Sequence, residues 1–278
     1  MEEKMKRLLI AALSCLIVMA MALPVLAGPT LMMATTTSTA NTGLLDELIV
    51  PKFMKDTGIE IKFVAVGTGK ALKMAENCDV DVVLVHAPAA EKAYVDKGVL
   101  VDRKELMYND FVIIGPASDP AGIKGMKVAQ ALKTIAEKQA VFCSRGDNSG
   151  TNKKELSLWK AAGMAVPEKD AWYIQTGQGM LPTINIANEK NGYTMTDRGT
   201  YIKYADTKGG NPPLVVLVEG DKVLFNQYSA LAVNTAKCKD AQYDLATKFI
   251  NWMASPDTQK AIGNFKLLGK KLFIPNAK

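Results

Sequence analysis

Short apolar runs alternate with helical patterns along most of the chain, and this alternation limits the fold more than any other feature. Leu31-Met32-Met33-Ala34, Ile59 to Val66 and Val80 to Val85 read as strands; Leu44 to Lys55 and Gly69 to Asn77 between them read as helices. A βαβαβ series of this kind closes most simply into a parallel sheet covered by helices. Pro88 opens another helix, which Gly98 closes, and Tyr108 to Gly115 forms a strand that Pro116-Ala117-Ser118-Asp119-Pro120 breaks. Pro51 falls inside the first helical pattern, where it is expected to kink or split the helix.

A second αβ series starts near Lys124. Helices over Val128 to Lys138, Asn152 to Ala162 and Pro182 to Lys190 precede strands over Ala140 to Cys143, Trp172 to Thr176 and Tyr193 to Met195 respectively, with Ala140 to Cys143 leading into Asn152. Leu214 to Val218 is a further strand. Val223 to Asn234 is a long extended segment that could run back into the first series, and Tyr243 to Ala254 and Pro256 to Gly263 are helical. The expected architecture is α/β and two-lobed, each lobe a mainly parallel sheet flanked by helices, with two crossing hinge segments near 108–116 and 223–232. Residues 28–114 and 224–278 would form the first lobe and 115–223 the second. A single doubly wound domain is the alternative that periodicity leaves open.

The first 27 residues stand apart. Lys4, Lys6 and Arg7 precede an apolar stretch through Leu26, and Val25-Leu26-Ala27 suits a signal peptidase, so residues 1–27 are expected to be a cleaved export signal rather than a retained membrane helix. Cys15 lacks the upstream leucine of a lipoprotein box, so no lipid anchor is expected. Cleavage leaves 251 of the 278 residues and lowers the formal net charge from +6 by one. The excess of lysine and arginine is dispersed, without the dense block that a nucleic-acid or membrane-surface partner would favour. Cys78, Cys143 and Cys238 remain, so at most one disulfide can form, and spacing does not choose its members.

Hydrogen-bond donors gather where strands give way to helices. Thr35-Thr36-Thr37-Ser38 follows the first strand, Gly67-Thr68-Gly69 the second, and "SRGDNSGT", Ser144 to Thr151, follows Ala140 to Cys143. Ligands of open α/β sheets lie beyond the carboxyl ends of strands, where helix N-termini offer free N–H groups and a positive dipole end. The expected occupant is a small anion. Each stretch alone could be an ordinary N-cap; three at successive strand ends, one with Arg145, favour a site. Asp147 is expected to brace the Arg145 guanidinium while its other N–H groups face the ligand.

Other chemistries lack their residues. "GTGK", Gly67 to Lys70, has Val64 where a P-loop needs glycine and Ala71 where it needs Ser or Thr, which rejects ATP. "RGD" aimed into a cleft could not serve as an adhesion loop. His86, the only histidine, ends the run Val82 to Val85 and is a packed residue that could reach the cleft floor. Glu76, Asp79 and Asp81 look like a solvated turn. No carboxylate pair, nucleophile signature or cation ligand set is evident, so no enzyme and no cofactor are expected.

"ATTTSTANTGLLDELIVPKF", "VAVGTGKAL", "DVDVVLVHAP", "MYNDFVIIGP", "SRGDNSGT", "GYTMTDRGTY" and "LFNQYSALAVN" together resemble, in order and over nearly the whole mature chain, the substrate-binding proteins of bacterial tungstate ABC importers. The resemblance implies the type II periplasmic-binding fold, whose two lobes close over the ligand. It also implies periplasmic localisation and delivery of tungstate or molybdate to a membrane permease driven by a separate ATPase. It places Thr37, Ser38, Thr68, Arg145, Ser149, Gly150 and Thr151 around the oxyanion. Thr194 joins them because related molybdate-binding proteins carry a tyrosine there. Cys78 departs from the small residue that the family would have. A monomer without nucleic-acid partners is expected.

The residues themselves argue against phosphate. Phosphate keeps a proton at neutral pH and needs an acceptor, whereas Val85-His86-Ala87-Pro88 offers no acid at that strand end. Tungstate and molybdate are fully deprotonated dianions that a carboxylate would repel. Burying one requires roughly seven or more directed donors, supplied half by each lobe and completed on closure. Sulfate satisfies the same logic; a sulfate or phosphate carrier, or an enzyme acting on an oxyanion ester, is the rival.

Overall fold

The structure is a computed structural model that describes Met1 and residues 28–278. The expected export signal, with Cys15, therefore lies outside the described residues. Strand β1 (Thr30–Thr36) leads into a single-turn helix α1 (Thr37–Ala40), then α2 (Val50–Thr57), β2 (Glu60–Val66), α3 (Thr68–Glu76), β3 (Val82–Val85) and α4 (Pro88–Asp96). The long β4 (Leu100–Pro116) passes to α5 (Val128–Glu137), β5 (Phe142–Ser144), α6 (Gly150–Ala161), β6 (Tyr173–Gln175), α7 (Met180–Glu189), β7 (Tyr193–Asp197), α8 (Arg198–Thr207) and β8 (Leu214–Val218). The chain returns through β9 (Phe225–Val233) and ends in α9 (Tyr243–Met253), α10 (Pro256–Asn264) and the short strands β10 (Lys266–Leu267), β11 (Lys270–Lys271) and β12 (Ile274–Pro275).

Strand β4 organises the rest. From Leu100 to Asp110 it pairs antiparallel with β9, in a first half-sheet ordered β2-β1-β3-β9-β4; from Phe111 to Pro116 it pairs antiparallel with β7 and β8 in a second half that continues to β5 and β6. β1 is parallel to β2 and β3, and β5 to β6 and β7, while the crossing strands join antiparallel. The whole sheet is therefore mixed.

Burial on both faces explains the apolar runs. Along β3, Val82 and Leu84 point into one core with Met33, Phe53 and Phe249, while Val83 and Val85 point into another with Ala34 and Leu72. In the second half Phe111, Ile113 and Phe142 face a core with Trp159, and Val112, Ile114 and Cys143 face one with Ile184 and Tyr204. Strands with two buried faces cannot alternate apolar and polar residues, so they read as continuous runs.

The helical stretch around Pro51 falls into two pieces of different type, as expected. A π-helical turn over Leu45–Ile49, closed by Val50 N–H donating to Leu45 O, runs directly into α2 and places Pro51 in the first turn of the α-helical piece, where the switch in helix type accommodates its missing N–H. Helix α8 has no counterpart in the sequence expectations. Its apolar positions lack a clear period, but Asp197 caps it, accepting from Thr200 N–H at 2.9 Å. Cys78 and Cys238 form a disulfide joining the end of α3 to the segment after β9, while Cys143 is free and buried, its thiol pushed up to about 11 by burial. Closing a loop of 160 residues contributes about 5 kcal/mol in the chain-entropy account.

Candidate functional site

Three helices begin at strand ends that face one another. The first backbone bond of α3 is Ala71 N–H to Gly67 O (3.0 Å), so the N–H groups of Thr68, Gly69 and Lys70 have no helical acceptor, and no side chain caps them. In α6 the first is Lys153 N–H to Ser149 O (2.9 Å); Ser149 Oγ takes Asn152 N–H at 3.3 Å, which leaves Gly150 and Thr151 N–H. In α1, Thr36 Oγ1 takes Thr39 N–H at 3.1 Å and leaves Thr37 and Ser38 N–H. These termini surround a cavity of about 420 Å³ between the two half-sheets, lined by Thr36 to Ser38, Gly67 to Lys70 and His86 on one side and by Arg145, Asp147 to Thr151 and Lys153 on the other. A Cβ built on Gly150 would meet His86 Cε1 and Thr68 Oγ1 at 3.7 Å, so one added methyl would bridge the two sides here.

The cavity is electropositive. Lys70, Arg145 and Lys153 line it against a single carboxylate, Asp147, and that carboxylate is occupied: Oδ2 accepts Arg145 Nε (3.1 Å) and Nη2 (2.5 Å), and Oδ1 accepts Ser149 N–H (3.2 Å). Burial works against its ionisation, but the hydrogen bonds from Ser149 and Arg145 outweigh it and hold the carboxyl below its ordinary value. Asp147 is thus a brace, with both oxygens bonded within the loop. Gly146 supplies the bend that this loop needs, with φ +59° and a position where a Cβ would lie 2.8 Å from Gln175 Cβ.

His86 forms the floor. Its Nε2 lies 3.0 Å from both Thr36 Oγ1 and Ser38 Oγ, its Nδ1 is 2.9 Å from Asn226 Oδ1, and its ring stacks on Tyr228 at 4.7 Å. Burial depresses its pKa, so the ring is neutral at neutral pH. With Asn226 Nδ2 donating to Asn109 Oδ1 (2.8 Å), Asn226 presents its oxygen to Nδ1–H, and Nε2 accepts a hydroxyl proton. His86 contributes no charge to the cavity.

Of the residues singled out in the sequence, Thr37, Ser38, Thr68, Arg145, Ser149, Gly150 and Thr151 come together around this cavity with Asp147 and His86. Thr194 does not. Its hydroxyl donates to Cys143 O at 2.6 Å and the residue is 1 % exposed, because β7 lies beside β5 within the sheet and turns this side chain onto its neighbour. Thr36 and Asn148, inside the expected donor stretches but not singled out, also line the cavity, as do Lys70 and Lys153, which were not foreseen. The two lysines were legible in "GTGK" and "SGTNK", where each follows the donor stretch within the first helical turn. A cavity of about 530 Å³ lies elsewhere, between Tyr108, Phe225 and Leu272 to Pro275, but its walls are largely aromatic and aliphatic and its charged pair, Asp110 with Arg198, is bonded internally. Among the described residues no cluster of His, Cys, Asp and Glu could hold a metal cation, and no helix is long and apolar enough to cross a membrane.

Residues 26–257 match the family model described as a PBP superfamily domain. The chain is 52% identical over 241 residues to the tungstate-binding protein TupA of Campylobacter jejuni, spanning 87% of this chain and 89% of that protein. It is similar to the solved structure of the tungstate-binding protein TupA from Desulfovibrio alaskensis G20, with 71% identity and a TM-score of 0.86 over 90% of this chain and all of that one. It is also similar to a structure described as the tungstate ABC transporter from Geobacter sulfurreducens, with 49% identity and a TM-score of 0.74 over 85% of this chain and 98% of that one.

Proposed function

The chain belongs to the PBP superfamily, among its TupA-like substrate-binding proteins, and on that premise we propose how its cleft captures tungstate for an ABC importer. The ligand is tungstate, a tetrahedral dianion. One observation carries this mechanism: three helix N-termini and Arg145 converge on one cavity whose only carboxylate is paired to Arg145 and bonded to Ser149 N–H. Uncapped N–H groups and hydroxyls replace the hydration of the dianion, and the Arg145 guanidinium offsets its charge. Thr37, Ser38 and Thr68 act from the first lobe, and Arg145, Ser149, Gly150 and Thr151 from the second. The lobes comprise residues 28–114 with 224–278, and 115–223, and they close over the ligand by rotation at the crossing of β4.

The protein binds and releases its ligand without altering it, the role in which its TupA relatives are named, and Ser38 Oγ, 3.0 Å from His86 Nε2, serves as a hydrogen-bonding group of the floor. It is exported by its leader, works as a periplasmic monomer, and hands its cargo to a permease with its ATPase. Discrimination against hydrogen phosphate is expected from the lack of a strong acceptor: a phosphate hydroxyl placed in this cavity finds N–H groups, hydroxyls and a carboxylate already paired to Arg145. Competition calorimetry with tungstate, molybdate, sulfate and phosphate tests the assignment. Tungstate binding that survives excess sulfate and phosphate is the expected result. Preference for either of those anions, or turnover of a phosphate or sulfate ester, would replace this function with the corresponding rival.

A further inference from the structure

Glu155, on the second turn of α6, is a buried carboxylate that the capture of an anion does not by itself require; it is 3 % exposed. Four donors converge on it. Oε2 accepts Ser144 Oγ–H (2.5 Å) and Asn152 Nδ2 (3.3 Å), and Oε1 accepts Trp159 Nε1–H (2.6 Å) and Tyr173 O–H (2.8 Å). The pattern uses both oxygens as acceptors. Ser144 Oγ already receives Gly146 N–H (3.3 Å) and Asn152 Nδ2 (3.2 Å), which fills both of its lone pairs and obliges its own proton to go to Glu155. Burial holds the Glu155 carboxyl above its ordinary value, against the opposing hydrogen bonds of Ser144, Tyr173, Trp159 and Asn152.

The two oxygens serve different parts of the molecule. Oε1 is tied to the core through Trp159 and Tyr173, and Oε2 to the donor loop through Ser144 and Asn152. From Ser144 the tie passes to Gly146 N–H, and from Asn152 Oδ1 to Asn148 N–H at 3.0 Å; Ser149 N–H goes to Asp147. The amides of Gly146, Asn148 and Ser149 are thus consumed inside the loop, whereas those of Gly150 and Thr151 are left open towards the cleft.

We infer that Glu155 is a positioning residue for anion capture: it rigidly seats the loop Ser144 to Asn152 on the core, so that Arg145, Gly150 and Thr151 meet the ligand without further ordering. A preformed loop spares the binding step the cost of immobilising it. The inference rests on the function proposed above.

The test compares Glu155→Gln, Ser144→Ala and Tyr173→Phe with the parent protein by tungstate calorimetry, at a temperature where circular dichroism shows each variant folded. Partners behind a binding group commonly shift affinity by about 10–100-fold, and Glu155→Gln is expected to weaken tungstate binding by about tenfold or more. Ser144→Ala, which cuts the loop side of the network, is expected to weaken binding more than Tyr173→Phe, which cuts the core side. In 15N-labelled protein the indole signal of Trp159 is expected to move on adding tungstate, with that of Trp252, which packs on Phe53 and Phe249, as an internal reference, and to lose that response in Glu155→Gln. If Glu155→Gln does not fold, Ser144→Ala and the parent indole response decide. Parent-like affinity in both Glu155→Gln and Ser144→Ala, or losses that merely follow the fall in melting temperature, would overturn the positioning role while leaving tungstate capture intact. A parent protein that ignores tungstate would instead overturn the function itself.

Discussion

The two walls of the cleft reach the same end, free donors at a helix N-terminus, by different means. The first-lobe wall carries one cation, Lys70, at its helix end and is neutral on its floor, where Thr36, Ser38 and His86 share hydrogen bonds and His86 continues to Asn226 and Asn109. The second-lobe wall is ionic, with Arg145 braced by Asp147 and the loop seated on Glu155. A dianion is attracted at long range by charge but selected at close range by the number and direction of donors. The second lobe is therefore suited to first capture, and the first lobe to the directed hydrogen bonds that closure completes.

Removing the charge should have the largest effect. Arg145→Ala is expected to cost about 2–5 kcal/mol of tungstate binding, as for other truncated buried charge partners, and calorimetry reads it directly. An unchanged affinity would mean that the ionic wall is not where the anion sits. Single hydroxyls on the neutral wall should matter less: Thr68→Val or Ser38→Ala is expected to cost about 1 kcal/mol, the usual net worth of one hydrogen bond. Losses there equal to that of Arg145→Ala would erase the distinction between the walls.

Acidification should separate the walls with the smallest effect near neutrality. The folded-state pKa of His86 is depressed below its ordinary 6.5, so the unfolded chain takes up the proton first. Stability is full above pH 6.5 and falls as the pH drops from there towards the depressed value; His86→Gln should flatten that slope in pH-dependent thermal melts. Asp147 is held below its ordinary 3.8, so its contribution is full above that pH and is lost only as the pH falls through the lower folded value. The neutral wall is expected to fail first on acidification. A slope between about pH 6.5 and 4 that survives in His86→Gln would assign the sensitivity elsewhere.

Local chemistry made much of this legible. Buried strands such as Val82 to Val85 announce themselves by composition, and Thr36, Ser149 and Asp197 are cap residues standing one position before a helix. Thr194 misled because resemblance supplies a position along the chain but not the direction of a side chain, and the β5–β7 pairing turned its hydroxyl onto Cys143 O. Glu155 carried no signal at all. A glutamate within a helix is ordinary, and its four donors come from β5, β6 and its own helix.

By itself, then, the sequence determined what depends on neighbours along the chain: the alternation of strands and helices, the donor-rich strand ends, the absence of a free acid among them, and a ligand that must be an anion. Only the tertiary structure decided which distant segments meet. It brought Thr68 to Gly150, paired Cys78 with Cys238 and left Cys143 alone, and carried β4 through both halves of the sheet. The physical reason is range: backbone preference and periodicity act over a few residues, while a cleft is formed by packing between segments that the chain itself keeps far apart.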